Sequence, residues 1–266
     1  ADAAVHDRRF SARLIEKISA ERVREELTRI FTESTAAGDA LVLLDSCGLL
    51  SRIIPEIAGM KGQQQPPEFH PEGDVFEHTR IMLNTMKEPS PALAFAVLLH
   101  DVGKPVTARK TGNRIRFDCH AERGAEIART ILKRLRFSAA EIDSITFCIK
   151  NHMKFKDVRE MKMSTLRRMI GNAEFNTELE LHRLDCLASH RNLGNHAFLS
   201  DCRNRMASEP VLPAPWITGR DIINLGVPEG PDVGKWKKEA YNAQLENRFS
   251  SRHKLSEWLK KRITQS

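Results

Sequence analysis

The sequence has no apolar run long enough to cross a bilayer and little of the alternation that forms β-strands. No window approaches the roughly 18 consecutive apolar residues that a membrane span needs. Apolar residues make up 41% and charged residues 29% of the 266 positions. Amphipathic patterns of helical period follow one another, apart from one short hairpin signal whose turn is Gly112-Asn113. The sequence therefore predicts a soluble, all-α protein that does not bind membranes.

Signals for disulfides and for export are also missing. The five cysteines form no C-x-x-C pair and are odd in number, which is typical of reduced thiols in a cytoplasmic protein. The first residues include neither an initiator Met nor the apolar stretch of a signal peptide. We therefore expect a cytoplasmic protein whose sequence is a piece of a longer chain.

Positive charge exceeds negative charge, with a formal net charge of +7. The excess includes residues near the C-terminus, namely Lys235, Lys237, Lys238, Lys260, Lys261 and Arg262. Such a balance favours a polyanionic partner such as RNA, because neutralising phosphates releases counterions. A solvated basic face explains the same charges. Trp236 and Trp258 lie among these lysines, where they either stack on bases or pack in the core.

Proline and glycine divide the chain into three predicted parts. Residues 1–62 form a helical body, and a polar loop rich in glutamine and proline opens a central domain over residues 63–207. A small basic helical tail follows over residues 208–266. In this tail Thr218 and Asp221 have the spacing of a capping box.

Two helices are predicted in the N-terminal part. Ser19 caps the first, from Ala20 to Phe31, in which apolar residues recur at helical spacing. The second, over residues 40–50, follows Gly38, which we expect to lie outside the helix.

Ionisable residues on apolar helical stripes are the most informative pattern. Six such residues come from five predicted helices, namely His78, His100, Asp101, His120, His152 and Asp185. His120, for example, heads the stripe formed by Gly124, Ala128 and Leu132. A hydrogen bond in the core explains any one of these histidines alone. Burying all six ionisable side chains together costs free energy unless they share a partner. A divalent cation is the simplest shared partner.

The types of ligand limit the metals that suit this cluster. Imidazoles and carboxylates without thiolates suit Mg, Mn, Fe, Co, Ni or Zn and exclude a Cys-rich structural zinc site. One or two such ions would orient a phosphate and activate water for attack on phosphorus. Lys104 is predicted near the end of the helix that carries His100, where it either contacts the phosphate or complements the helix dipole. The catalytic candidates are therefore His100, Asp101 and Lys104.

The motif His-Asp-Val-Gly-Lys at residues 100–104 resembles the HD phosphohydrolase superfamily. Glu-His-Thr precedes it at residues 77–79 and Asp185 follows it. This resemblance implies a divalent metal held by four ligands, namely His78, His100, Asp101 and Asp185. His120 and His152 match the additional histidines of superfamily members that hold two metals.

Three further segments narrow the resemblance. Residues 18–27, 66–79 and 217–234 look like the C-terminal part of bacterial tRNA nucleotidyltransferase/poly(A) polymerase family proteins that carry an HD domain. This implies an HD helical bundle with an N-terminal helical body and a small C-terminal tail. The Gly-Ser loop and paired aspartates of that family's polymerase head have no counterpart here, so we expect no nucleotide addition by this chain.

In that family the HD domain is linked to hydrolysis of 2′,3′-cyclic phosphates, 2′-nucleotides and phosphomonoesters. We therefore expect a phosphohydrolase that acts on small nucleotides or RNA 3′ ends, with RNA, in particular tRNA, as its partner. Contacts to RNA or phosphate are expected from Lys104, Arg220, Lys235, Lys237 and Lys238. Two alternatives remain open: a non-catalytic tRNA-binding body with a structural metal, and a domain that senses nucleotides without turnover.

Overall fold

A computed structural model describes residues 14–68, 70–112, 114–208 and 210–265. The predicted all-α fold is confirmed, since the sheet found within these ranges is a two-stranded hairpin. In the same ranges no helix combines the length and the apolar character needed to span a bilayer.

The elements follow one another along the chain with short connections. They are a 3-10 helix at Leu14–Lys17, α1 (Ala20–Glu33), α2 (Ala37–Ser46), α3 (Leu50–Ile53), α4 (Pro55–Ala58), α5 (Val75–Thr85), α6 (Pro91–Leu99), α7 (Lys104–Thr107), β1 (Arg109–Thr111), β2 (Arg114–Arg116), α8 (His120–Arg134), α9 (Ala139–Asn151), a 3-10 helix at His152–Glu160, α10 (Met163–Ile170), α11 (Phe175–Ala188), α12 (Gly194–Arg205), α13 (Gly219–Asn224), α14 (Pro231–Leu245) and α15 (Arg252–Thr264).

These elements form two compact units. The first comprises the described residues up to 156 together with residues 176–196, and the second comprises residues 157–175 together with those from 197 onward. The domain boundaries expected after residues 62 and 207 stay a prediction.

Helix α6 is the centre of the first unit's core. All residues from Leu93 to Leu99 are buried, and a helix that is apolar on every side must be enclosed by others. Ser90 caps its first turn by accepting a hydrogen bond from the N–H of Leu93 at 3.2 Å. The helix ends at Leu99, so it delivers the next two residues, His100 and Asp101, into the middle of the core.

Helix α1 shares this core with α6. Ser19 accepts a hydrogen bond from the N–H of Arg22, as predicted for a cap. The buried ring of Phe31 meets the edge of Phe95 in α6, with 6.2 Å between the ring centroids. The predicted N-terminal body is therefore continuous, within the first unit, with the core that surrounds α6.

The predicted bounds of α2, residues 40–50, were wrong, because the helix spans Ala37–Ser46 and so includes Gly38. The backbone at Gly38 passes so close to α5 that a Cβ atom would lie 2.0 Å from the carbonyl oxygen of Arg80. The N–H of Gly38 also donates to Oδ1 of Asn84 at 2.7 Å. Glycine is thus needed here for helix packing and does not act as a helix stop.

The predicted hairpin is confirmed. Lys110 pairs with Ile115 in an antiparallel register, and Gly112 has the positive φ of 59° that the turn requires. Its second turn residue, Asn113, lies outside the described residues. So do residues 1–13, which belong to the predicted N-terminal helical part.

The second unit has its own small core, which includes Ile222, Trp236 and Leu255. The predicted capping box is present, because Thr218 and Asp221 each accept a hydrogen bond from the other's backbone N–H. Trp236 is 8% exposed, and Trp258 packs against the same core. Core packing thus accounts for both tryptophans.

We predict that Gly38→Ala destabilises the first unit by about 1–3 kcal/mol, since the new methyl group would force α2 away from α5. Gly234→Ala is the matched control, because a Cβ in that helical position meets nothing within 4 Å. It should raise stability by about 0.5–1 kcal/mol. Urea unfolding followed by circular dichroism measures both, and equal midpoints for the two variants would contradict the packing argument.

Candidate metal centre

The structure brings all six predicted inward-facing residues into two adjoining groups. The ligand atoms of His78, His100 and Asp185 lie within 4.8 Å of one another, and so do those of Asp101, His120 and His152. Nε2 of His100 and Oδ2 of Asp101 are 3.1 Å apart, which joins the two groups. The stripes of five helices therefore converge as the sequence indicated.

Backbone carbonyls orient three of the histidines. In His100, His120 and His152 the Nδ1–H group donates to the carbonyl oxygen three residues earlier, at 2.9, 2.8 and 2.7 Å. With Nδ1 as the donor, the lone pair of Nε2 is free to bind an electrophile. Histidine ligands of metals are held in this way by a hydrogen bond on the other nitrogen.

Burial keeps two of these rings neutral. It lowers the pKa of His120, and it lowers that of His152 to about 4, with the nearby charge of His100 adding to the effect. Nε2 of His120 and Nε2 of His152 are 3.2 Å apart. Two neutral imidazoles thus face each other as potential ligands at physiological pH.

Asp101 lies at the centre of this arrangement, with only 2% of its side chain exposed. Its Oδ1 is 3.6 Å from Nε2 of His120 and 3.9 Å from Nε2 of His152. Burial acts to raise the pKa of this carboxyl, but the charges of His100 and Lys104 outweigh it and hold the pKa well below its usual range. Asp101 is therefore a buried carboxylate.

His78 lies between two carboxylates. Its Nδ1 is 2.5 Å from Oε1 of Glu72, and its Nε2 is 3.2 Å from Oδ1 of Asp185. Burial acts to lower the pKa of His78, but the hydrogen bonds to Asp185 and Glu72 raise it to about 9. The same contact with His78 overcomes the partial burial of Asp185 and holds the pKa of its carboxyl well below the usual range. His78 and Asp185 thus form a close pair of potential ligands.

Sequence reasoning missed three residues around this cluster, namely His70, Glu72 and Gln65. Glu72 binds both His78 and His70, whose Nδ1 lies 2.9 Å from the same Oε1. The pKa of Glu72 falls to about 2, because hydrogen bonds from both histidines outweigh its burial. These residues belong to the proline-rich loop, which has no periodicity to reveal an inward face. The only signal was the string His-Pro-Glu close before α5.

The predicted position of Lys104 was wrong, because α6 ends at Leu99 and Lys104 begins α7. A Cβ at Gly103 would lie 2.2 Å from the carbonyl oxygen of His120, so the chain turns there against α8. Lys104 is 6% exposed, and its Nζ lies 2.6 Å from Oδ2 of Asp101 and 2.5 Å from Oε1 of Gln65. It neutralises the buried carboxylate and does not complement the end of α6.

The residues of the cluster fit a divalent cation. Nε2 of His100 and Oδ1 of Asp101 are buried without a hydrogen-bond partner within the described part of the chain. Such atoms are rare in proteins and call for a partner. The donors are imidazole nitrogens and carboxylate oxygens, which suit first-row divalent metals.

The other residues expected to contact RNA lie in the second unit. Arg220 is on α13, and Lys235, Lys237 and Lys238 are on α14. All four are exposed, as a role in binding phosphates requires.

Comparison with known proteins places two family profiles on the chain. The profile described as "Probable RNA and SrmB- binding site of polymerase A" matches residues 9–60, and the HD domain profile matches residues 74–180. The second match includes His78, His100, Asp101, His120 and His152 and ends before Asp185.

Several curated relatives match most of the chain. A CC-adding tRNA nucleotidyltransferase of Thermus thermophilus is 32% identical, over 90% of this chain and 56% of the relative. A multifunctional CCA protein of Halorhodospira halophila is 28% identical, over 89% of this chain and 57% of the relative. An A-adding tRNA nucleotidyltransferase of Deinococcus radiodurans is 31% identical, over 81% of this chain and 52% of the relative.

The chain spans about half the length of the curated relatives it matches. The chain therefore carries an HD domain and is similar over most of its length to tRNA nucleotidyltransferases and multifunctional CCA proteins, consistent with the C-terminal part of that family.

Proposed function

We propose that this chain is a divalent-metal-dependent phosphohydrolase that acts on small nucleotides or RNA 3′ ends, by hydrolysis of 2′,3′-cyclic phosphates, 2′-nucleotides or phosphomonoesters. The observation that carries the proposal is that the Nε2 atoms of three histidines point towards the buried carboxylate of Asp101. This arrangement would not stabilise the core by packing alone, because each buried polar group without a partner costs free energy.

The two groups of ligands suggest two cation positions. His78, His100 and Asp185 would hold one cation, and His120 and His152 would hold another. Asp101 lies between the groups and would serve both. One or both of these positions would be occupied, in each case by Mg, Mn, Fe, Co, Ni or Zn.

A bound divalent cation would supply Lewis acidity at phosphorus and lower the pKa of water. The chain's own residues hold and orient this centre. Asp185 has 27% of its side chain exposed, against 2% for Asp101, so a phosphate would reach the centre from the side of Asp185. Lys104 is buried against Asp101, and we assign it to positioning that carboxylate and not to contact with substrate.

A second candidate function is binding of tRNA without hydrolysis. The names of the relatives favour it, because the Thermus thermophilus and Deinococcus radiodurans proteins are called tRNA nucleotidyltransferases. The match to a profile described as RNA-binding supports RNA as a partner under either function. Hydrolysis by the isolated chain distinguishes the two functions.

We predict that metal-stripped protein refilled with Mn²⁺, Ni²⁺ or Mg²⁺ hydrolyses 2′,3′-cyclic AMP, and that Asp101→Asn lowers kcat/KM by about 100-fold or more. Loss of a group that merely orients a metal ligand already costs about 10- to 100-fold. Asp143→Asn makes the same chemical change at a carboxylate that is 69% exposed and pairs with Arg129, so its activity should match that of the parent. Chromatographic separation of the products measures both.

Melting curves show whether the variants are folded. If the folded parent protein hydrolyses neither 2′,3′-cyclic AMP nor a 2′-nucleotide nor a phosphomonoester with any of the six proposed metals, the hydrolase proposal is wrong. The function would then be that of an RNA-binding body. Loss of activity in both aspartate variants would also count against the assignment of Asp101.

We also predict that divalent cations bind more tightly as the pH rises from 7 to 9. The pKa of His78 is about 9 without a cation, so its ring must lose a proton before Nε2 can act as a ligand. Affinity should rise by up to about tenfold per pH unit below that pKa and level off above it. His120 and His152 have lowered pKa values and add no dependence in this range.

Calorimetric titration with Mn²⁺ at several pH values measures this dependence. Glu72→Gln should flatten it, since Glu72 helps to raise the pKa of His78. Glu77→Gln is the control, because Glu77 lies on the same helix as His78 but pairs with Arg80. An affinity that does not change between pH 7 and 8.5 would contradict the combination of a raised pKa and a ligand role for His78.

A further inference from the structure

The loop between α4 and α5 is closed on itself at its base. Asp74 holds both ends, because its carboxylate accepts hydrogen bonds from the N–H of Gly62 at 2.6 Å and from that of Glu77 at 2.8 Å. The N–H of Val75 also donates to the carbonyl oxygen of Gln63 at 3.1 Å. Compact loops whose ends lie close together are frequently functional. The loop therefore presents its side chains to the metal centre from a closed backbone.

Within this loop, Glu72 orients the ring of His70. The side chain of Glu72 is 5% exposed, and it is an ionised carboxylate at neutral pH. Nδ1 of His70 lies 2.9 Å from Oε1 of Glu72. A charged acceptor strengthens such a hydrogen bond. A neutral His70 ring therefore carries its proton on Nδ1, which leaves the lone pair on Nε2.

Nε2 of His70 is available to a substrate. Within the described part of the chain, the hydrogen bond to Glu72 is the only one that the ring of His70 makes. Its side chain is 18% exposed, against 10% or less for the four histidines that are assigned as metal ligands. His70 is therefore the most accessible histidine of the group around the metal centre.

His70 lies directly beside the proposed ligand His78. The two rings meet edge to face, with 5.0 Å between their centroids and an angle of 86° between their planes. Nδ1 of His78 is 2.5 Å from Glu72, and its Nε2 is 3.2 Å from Asp185. His78 is thus flanked by the two accessible side chains, His70 and Asp185. A substrate that enters from the side of Asp185 would come close to His70.

A third cation between His70, Glu72 and His78 is the competing interpretation, since their ligand atoms lie within 4.8 Å of one another. Both rings place Nδ1 against the same carboxylate oxygen, at 2.9 and 2.5 Å. A cation at this point would displace the proton from each Nδ1. His78 would then bind cations through both nitrogens, although a neutral imidazole has a lone pair on only one. The geometry therefore favours two hydrogen bonds over a third cation.

We propose that His70, held by Glu72, is the general base of the hydrolysis, an inference that rests on the proposed function. Nε2 of His70 would take a proton from the attacking water as the oxygen of that water bonds to phosphorus. The bond from phosphorus to the ester oxygen breaks, and this oxygen takes up a proton from solvent. His70 then returns its proton to solvent, so the net reaction consumes one water molecule. A base that a third group orients is a recurring arrangement in hydrolases.

Three variants test this role. His70→Ala removes the ring, whereas His70→Gln keeps a side chain that can accept a hydrogen bond but takes up no proton at neutral pH. His253→Ala is the matched control, because His253 lies in the second unit with 82% of its side chain exposed. Hydrolysis of 2′,3′-cyclic AMP gives kcat and KM, and calorimetric titration gives the number and affinity of bound Mn²⁺ ions. Melting curves show whether each variant is folded.

We expect kcat to fall about 100-fold or more in both His70 variants, because general-base catalysis contributes roughly 10²- to 10⁴-fold. KM and the binding of Mn²⁺ should stay those of the parent, since His70 is not a ligand. Free imidazole should restore part of the activity of His70→Ala but none to His70→Gln, whose side chain fills the place of the ring. His253→Ala should match the parent with or without imidazole.

Each other result overturns the assignment. Full activity of His70→Gln would show that a hydrogen bond without proton transfer is sufficient. Loss of one bound Mn²⁺ in His70→Ala would identify His70 as a ligand. An active parent with an equally active His70→Ala would refute the general base and leave the hydrolase proposal intact, whereas an inactive parent would refute both.

Discussion

The architecture of the first unit depends on the burial of one carboxylate, Asp101, at the end of an entirely apolar helix. Removing a carboxylate from water costs several kcal/mol unless charged or polar groups surround it. Here Lys104 and three histidines, His100, His120 and His152, supply that surrounding. These groups are brought together by three features: the apolar α6, the close approach of Gly103 to α8 and the ends of the neighbouring helices.

The helix ends set the geometry of the cluster. His100 and His152 follow the last residues of α6 and α9, and His120 is the first residue of α8. Each ring donates to a carbonyl of its own chain segment, so the backbone fixes the tautomer and leaves Nε2 aimed inward. The three rings around Asp101 are therefore positioned by main-chain hydrogen bonds, which ordinary side-chain substitutions elsewhere would not disturb.

Helical periodicity was sufficient to identify the inward-facing residues, because His120 and His152 continue apolar stripes that the core must bury. Periodicity could not identify Glu72 or Gln65, since the loop that carries them has no repeating face. It also misplaced Gly38 and Lys104. In a sequence, glycine and proline usually indicate the end of a helix. Gly38 lies inside α2 instead, because α2 packs so closely on α5 that a larger residue would not fit. Such contacts between distant segments appear only when the fold is known.

The central claim is that the buried nitrogens and carboxylates of this cluster bind a divalent cation. Anomalous diffraction from crystals of the protein equilibrated with Mn²⁺ tests it most directly. The account predicts an anomalous peak between Nε2 of His78, Nε2 of His100 and the carboxylates of Asp101 and Asp185, at distances of about 2.0–2.3 Å from the ligand atoms. Density for water alone at this position, with His78 still hydrogen bonded to Asp185, would contradict it.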